Sequence, residues 1–271
     1  MANKKKISVK NRNSNTTVMP QKPIQQEKAP GMISLLLIGV LLFSLVTASR
    51  TRNMVYQSTM FLWKNITETS PKKRRAHENY GQALSTAGLL QEALAQFNAV
   101  LALEDDGSVP MRDLYREIGV VHFRLGSLDA AVEAWKKGLH YAPNDPGILN
   151  NLAVAYKNQQ RYDEAVASAE AALKIDQRMP QLQNTLGEVF MLKNEYDKAA
   201  KYFLAAIQTD PDSPTYYFNA AKALALTGKF DLAYQYMNLS AARMADPQQR
   251  QTAQSFMDQM KKLIARNAKN K

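Results

Sequence analysis

The residue types that could do acid–base or metal chemistry are few in this chain, and their spacing argues against both. None of the three histidines, His77, His122 and His140, lies four residues from another, the spacing that turns two imidazoles toward one metal on a helix face. They are expected to be hydrogen-bonded structural residues, with His122 at a packing position. The paired acids Asp105-Asp106 and Asp163-Glu164 fall where turns or helix starts are expected, and carboxylates there cap backbone N–H groups and suit the helix dipole. The absence of cysteine excludes a disulfide framework, a thiolate metal site and a lipid-modified cysteine. Neither a G-x-x-x-x-G-K phosphate loop nor a G-x-S-x-G nucleophile elbow occurs. The expectation is a protein that is not an enzyme and carries no metal and no cofactor.

The elements that would have to position any site are spelled out by a period. Small residues recur at Gly119, Ala153, Gly187 and Ala221, 34 residues apart, and each is followed twelve residues later by Ala131, Ala165, Ala199 or Ala233. Large residues stand three positions after the small one, at Leu84, Tyr156, Phe190 and Leu224, with His122 the exception. Phe97, Trp135, Phe203 and Met237 stand four past the alanine of the second helix, where Ala169 departs. Pro143 and Pro211, 24 residues after Gly119 and Gly187, must end helices, because proline lacks the donor and clashes with the preceding turn.

This pattern resembles the tetratricopeptide repeat (TPR) family, in which two helices cross closely where side chains are nearly absent. The resemblance covers about two thirds of the chain and implies an all-α, right-handed α-solenoid that binds rather than catalyses. Five helix pairs are expected, roughly at 74–107, 112–145, 146–179, 180–213 and 214–247. Gly81 and Gly119 stand further apart than that register allows, so Glu104 to Pro110 reads as a loop insertion. Residues 248–271 hold a capping helix with Ala253, Phe256, Met257, Met260, Leu263 and Ile264 at helical spacing, ending in a basic tail. Trp63 and Pro71 lie 34 residues before Phe97 and Asp105, so within 49–73 the stretch Met54 to Thr69 is expected to be the second helix of a half repeat. The other reading of that stretch is an amphipathic helix lying on a membrane.

Residues 32–48 contain no charge and are rich in Leu, Ile, Val and Phe, close to the lower limit of about 17–25 residues for a transmembrane helix. A cleaved signal peptide ending at Val46-Thr47-Ala48 is the rival reading, and the long leader favours an uncleaved single-pass anchor. Residues 1–31 form a basic tail with too little apolar content to fold. Flanking charge does not orient the span, since Arg12, Lys22 and Lys28 precede it and Arg50, Arg52 and Lys64 follow it. A tail that also bears Lys4, Lys5, Lys6 and Lys10 is more naturally kept in the cytoplasm, whereas a large domain is translocated whatever its charge.

A second resemblance points the same way. Arg52-Asn53, Tyr56, Leu62-Trp63, Ser70-Pro71, Arg75, Asn79 and Gly81 are similar to the junction in polytopic membrane proteins whose last span leads into extracytoplasmic TPR repeats. It implies a solenoid facing the periplasm or a lumen, and the reading taken is the periplasm, held at the inner membrane. The several spans and the glycosyltransferase-like membrane part of that family are missing, so no transferase activity is implied.

The formal charge is +11 and the isoelectric point near 9.6, yet residues 76–246 carry 15 basic and 21 acidic side chains. The basic excess sits outside the repeats, which argues against a phosphate-binding groove and against nucleic acid as a partner. Lys72-Lys73-Arg74-Arg75 reads as a solvated run.

The TPR resemblance further implies that the first helices line a groove, with contacts two before and one after the small residue. Asn79, Asn151 and Asn219 stand two before it, with Glu117 and Thr185 in the other repeats. An asparagine amide both donates and accepts, so it can hold a peptide backbone of any sequence; alternatively, it merely suits the start of a helix. Arg116, Phe123, Lys157, Asn184, Glu188 and Lys222 are implied to face the same groove. The lysine–asparagine clamp for a C-terminal carboxylate is absent, since Glu78 and Gln82 stand in its place. The expected function is a membrane-anchored scaffold for a protein or peptide partner. The alternatives are an accessory subunit of an envelope glycosylation, secretion or assembly complex, and a cytoplasm-facing adaptor. Oligomeric state is left open.

Overall fold

The computed structural model describes residues 58–269, with 41, 43–45 and 47 ahead of them. Backbone contacts divide the chain into Met1–Asn53 and Met54–Lys271. Among the described residues of the second unit there are twelve helices and no strand. α1 is described over residues 58–69. Five pairs follow: α2 (Arg74–Thr86) with α3 (Leu90–Ala102), α4 (Met111–Arg124) with α5 (Leu128–Tyr141), α6 (Pro146–Asn158) with α7 (Tyr162–Ile175), α8 (Pro180–Leu192) with α9 (Tyr196–Thr209), and α10 (Pro214–Leu226) with α11 (Phe230–Arg243). α12 (Pro247–Lys269) closes the series. The helix pairs, the cap and the half repeat from residue 58 onward agree with the 34-residue register, and residues 49–57 lie outside the described residues.

Local chemistry sets the boundaries. Pro146, Pro180 and Pro214 open α6, α8 and α10, at the one helical position where the missing N–H is no loss. Asp145 caps α6 by accepting from the Ile148 N–H at 3.0 Å. α5 and α9 stop ahead of Pro143 and Pro211 as expected. Within every pair the chain reverses through one residue with positive φ: Gly88, Gly126, Gln160, Asn194 and Gly228. The next N–H then reaches back to the carbonyl of Leu84, His122, Tyr156, Phe190 or Leu224 at 2.8–2.9 Å, which satisfies an orphan acceptor at each helix end.

Packing explains the small residues. A β-carbon on Gly81 would come within 2.6 Å of the Phe97 ring, and one on Gly119 or Gly187 would overlap Trp135 or Phe203. The two repeats with alanine in the first helix carry smaller or more flexible partners, Ala169 opposite Ala153 and Met237 opposite Ala221, all buried. Close crossing therefore holds in each pair, with volume traded between the two positions. Trp135 is buried and donates its Nε1–H to the Arg116 carbonyl at 3.1 Å, so the indole loses no hydrogen bond.

Both ends are covered. On α12 the side chains of Ala253, Met257 and Met260 are buried against the last pair, with Phe256, Leu263 and Ile264 half-buried. At the other end Met60 of α1 packs on the cluster around Leu84 and Phe97, Trp63 is half-buried, and Thr67 is buried. His77 joins the α1–α2 turn to α3, its two ring nitrogens 2.8 Å from Gln96 Oε1 and 2.9 Å from the Pro71 carbonyl.

Three expectations need correction. Arg74 is not solvated with its neighbours: its side chain is 2% exposed, and its Nε donates to the Val100 carbonyl at 3.2 Å. Its guanidinium also pairs with Asp105, so the loop inserted between α3 and α4 folds back over a buried cation. His122 is not hydrogen-bonded through Nδ1, which is enclosed without a partner among the described residues, and burial holds its pKa below the ordinary value. Thr185 faces the interior rather than the groove, at 8% exposure, with its hydroxyl donating to the Gln181 carbonyl at 3.0 Å.

No described helix is long and apolar enough to cross a membrane. The tail at 1–31 and the span at 32–48 lie outside the described residues, except for 41, 43–45 and 47, which are helical.

Candidate functional site

First helices of successive repeats touch one another, α2 with α4, α4 with α6, α6 with α8 and α8 with α10, so their side chains form one continuous strip. Asn79, Asn151 and Asn219 each occupy the sixth residue of their helix. They do not mark helix starts, and asparagine is a poor helix former in an interior turn. Its presence there needs a reason outside the helix. All three are half-buried, and Asn79 and Asn151 make no side-chain hydrogen bond among the described residues.

From α6 to α10 the strip is wired together. The Lys157 ammonium pairs with the Glu188 carboxylate. Asn184 Nδ2 donates to Glu188 Oε1 at 2.7 Å, and Asn219 Nδ2 donates to Asn184 Oδ1 at 2.9 Å. Four of the expected groove residues on three helices are thus linked in one polar chain. Lys222 stands beyond its end, exposed, 5.7 Å above the Phe218 ring and in no ion pair among the described residues. A pocket of about 210 Å³ opens there, lined by Glu188, Met191, Leu192, Phe203, Asn219 and Lys222.

Arg116 and Phe123 belong to a separate part of the strip. The Arg116 guanidinium lies 3.2 Å from Asp113 and 3.5 Å from Glu117, and Phe123 tilts against Trp135 with centroids 5.9 Å apart. In the first repeat Glu78 is buried and bonded to Arg75 at 3.0 Å, so its carboxylate is already engaged.

The repeat pattern did not single out Met191 and Leu192. Leu192 is 53% exposed, and Leu226, at the matching position of the next repeat, is 54% exposed. An apolar residue five places after the small one, off the packing row, was the available signal. Among the described residues no group of three or more histidine and acidic side chains is placed to hold a metal ion.

Helix pairs of this geometry with a first-helix strip define a tetratricopeptide repeat solenoid. Two family models agree, a tetratricopeptide repeat model over residues 116–181 and a TPR repeat model over 187–228. Among curated proteins the chain is similar to the Photosystem I assembly protein Ycf3 of Synechococcus sp. (strain CC9605), 24% identical over 130 residues, 46% of this chain and 75% of that one. The Ycf3 of Cyanophora paradoxa is 31% identical over 96 residues, 35% of this chain and 55% of that one. Among solved structures it resembles YrrB, described as a TPR protein with an unusual peptide-binding site, at TM-score 0.57 and 18% identity over 71% of this chain and 97% of that one. MamA matches at TM-score 0.57 and 18% identity over 63% and 91%. At these identities the solved structures speak to the fold alone.

Proposed function

We propose that the protein is a membrane-anchored interaction scaffold whose first-helix strip binds an extended peptide or protein segment. The observation that carries this reading is the wired row Lys157, Glu188, Asn184 and Asn219, which ends in an apolar pocket beside an exposed lysine. Donors and acceptors already lined up across three helices suit a peptide backbone, because less ordering remains to be done on binding. A pocket with Met191, Leu192 and Phe203 in its wall suits one anchoring apolar side chain, and Asn79, Asn151, Arg116 and Phe123 extend the strip toward the N-terminal repeats. The Photosystem I assembly role of the Ycf3 relatives supports a scaffold that serves the building of a membrane complex.

The anchor is proposed at 32–48. Leu41, Phe43 and Leu45 are exposed, and the hydroxyls of Ser44 and Thr47 donate back to the carbonyls of Leu41 and Phe43 at 2.7 and 2.9 Å, which suits an apolar medium. The charged tail and the junction resemblance support a solenoid outside the cytoplasm, on the inner membrane. External protease on spheroplasts should digest the solenoid and spare an epitope on the tail; protection of the solenoid would favour the cytoplasmic adaptor.

The groove is tested by site-directed crosslinking. A photoreactive residue at Leu192 should give a defined adduct in membranes that is lost on Asn219→Ala with Lys222→Glu, whereas one at Ser255 of α12 should not. Adducts at Leu192 that survive both changes would overturn the groove reading.

A further inference from the structure

α1 has two faces, and only one of them is used by the solenoid. Met60, Trp63, Ile66 and Thr67 turn inward, and Thr67 is 8% exposed. On the opposite side Phe61 is 73% exposed and Leu62 is 52% exposed. Two large apolar side chains are therefore held in the open by a helix whose other face is fixed, so they cannot turn in to hide.

Basic side chains follow them along the chain. Lys64 lies one turn from Phe61 and is exposed, and Lys72 and Lys73 are exposed in the turn that follows the helix. Lys64 comes no nearer than 3.9 Å to Glu68, and Lys72 and Lys73 make no ion pair among the described residues. In sequence the patch is close to the proposed span: the short stretch from Ala48 to Phe61 holds Arg50 and Arg52 and no acid.

We propose that this face of α1 docks on the headgroup layer of an anionic bilayer, with Phe61 and Leu62 entering the interface and Lys64, Lys72 and Lys73 meeting lipid phosphates. The proposal rests on the membrane-anchored reading above. An aromatic and an aliphatic side chain on the open face of a helix that carries Lys64 and leads into Lys72 and Lys73, against the single acid Glu68, suit an interfacial helix. Each well-placed lysine strengthens attraction to an anionic surface by about fivefold in partitioning. The span then acts as a tether, and α1 as a second foothold that sets the orientation of the groove relative to the membrane.

The chain has no cysteine, so single labels are unambiguous. The full chain carrying Leu62→Cys or, as a solvent reference, Ser255→Cys is spin-labelled and reconstituted into nanodiscs of phosphatidylglycerol with phosphatidylcholine, and of phosphatidylcholine alone. At position 62 the ratio of oxygen to nickel-chelate accessibility should rise severalfold over position 255 in the anionic discs. It should fall back in the neutral discs and on Lys72→Glu with Lys73→Glu. Equal ratios at 62 and 255 in anionic discs would overturn the docking while leaving the anchor intact, as would dipolar broadening at 62 showing a second copy on the patch. Elution of the chain apart from the discs would overturn the anchor and the docking together.

Discussion

The Phe203 ring occupies the space that a β-carbon on Gly187 would need. Gly187 and Phe203 lie on α8 and α9, and their fit is what lets that pair cross so closely. Gly187→Leu should overpack it and cost about 1–3 kcal/mol, whereas Lys201→Ala, on the exposed side of α9, should cost little. Urea unfolding of the two variants checks this. Gly187→Ala together with Phe203→Leu should recover part of the loss, because the two sites share one volume.

Gln160 has φ of 61° at the position where Gly88, Gly126 and Gly228 stand in other repeats. A side chain there costs about 1–2 kcal/mol in backbone sterics, offset by the greater freedom of glycine in the unfolded chain. Gln160→Gly should therefore raise the urea midpoint slightly. A lower midpoint would mean that Gln160 makes a contribution its geometry does not account for.

Arg74 satisfies the Val100 carbonyl while its partner Asp105 stays 60% exposed. Only the Asp105 side of that pair faces solvent, where screening weakens it, and the stranded carbonyl dominates. Arg74→Met should cost about 1–3 kcal/mol. Hydrogen exchange should speed up in the loop at 103–110 before it does in α10 or α11.

His122 stands where Tyr156, Phe190 and Leu224 stand in other repeats, and burial depresses its pKa. The unfolded chain therefore takes up the proton more readily. The stability tied to neutral His122 is present above the ordinary value of 6.5 and is lost as pH falls through that value toward the depressed one. His122→Leu should flatten the fall in urea midpoint between pH 7.5 and 5.5. An unchanged slope would assign the pH dependence elsewhere.

Sequence alone determined the repeat. Small residues at a 34-residue interval, large residues at fixed offsets and helix-ending prolines are local or periodic constraints, and they placed the pairs, the insertion at 104–110 and the cap at Pro247. Of the strip positions the repeat pattern suggested, Lys157, Asn184, Glu188 and Asn219 come together in the fold, while Thr185 is buried. Tertiary structure decided which polar groups are engaged, because that depends on neighbours a whole repeat away along the chain. Lys157 reaches Glu188 across α6 and α8, and Asn219 reaches Asn184 across α8 and α10. Arg74 shows the same limit. Four basic residues in a row look alike in sequence, but only the one that faces the Val100 carbonyl and the returning loop is drawn inside. Burial of a charge follows from partners brought together by the fold, and local composition does not contain them.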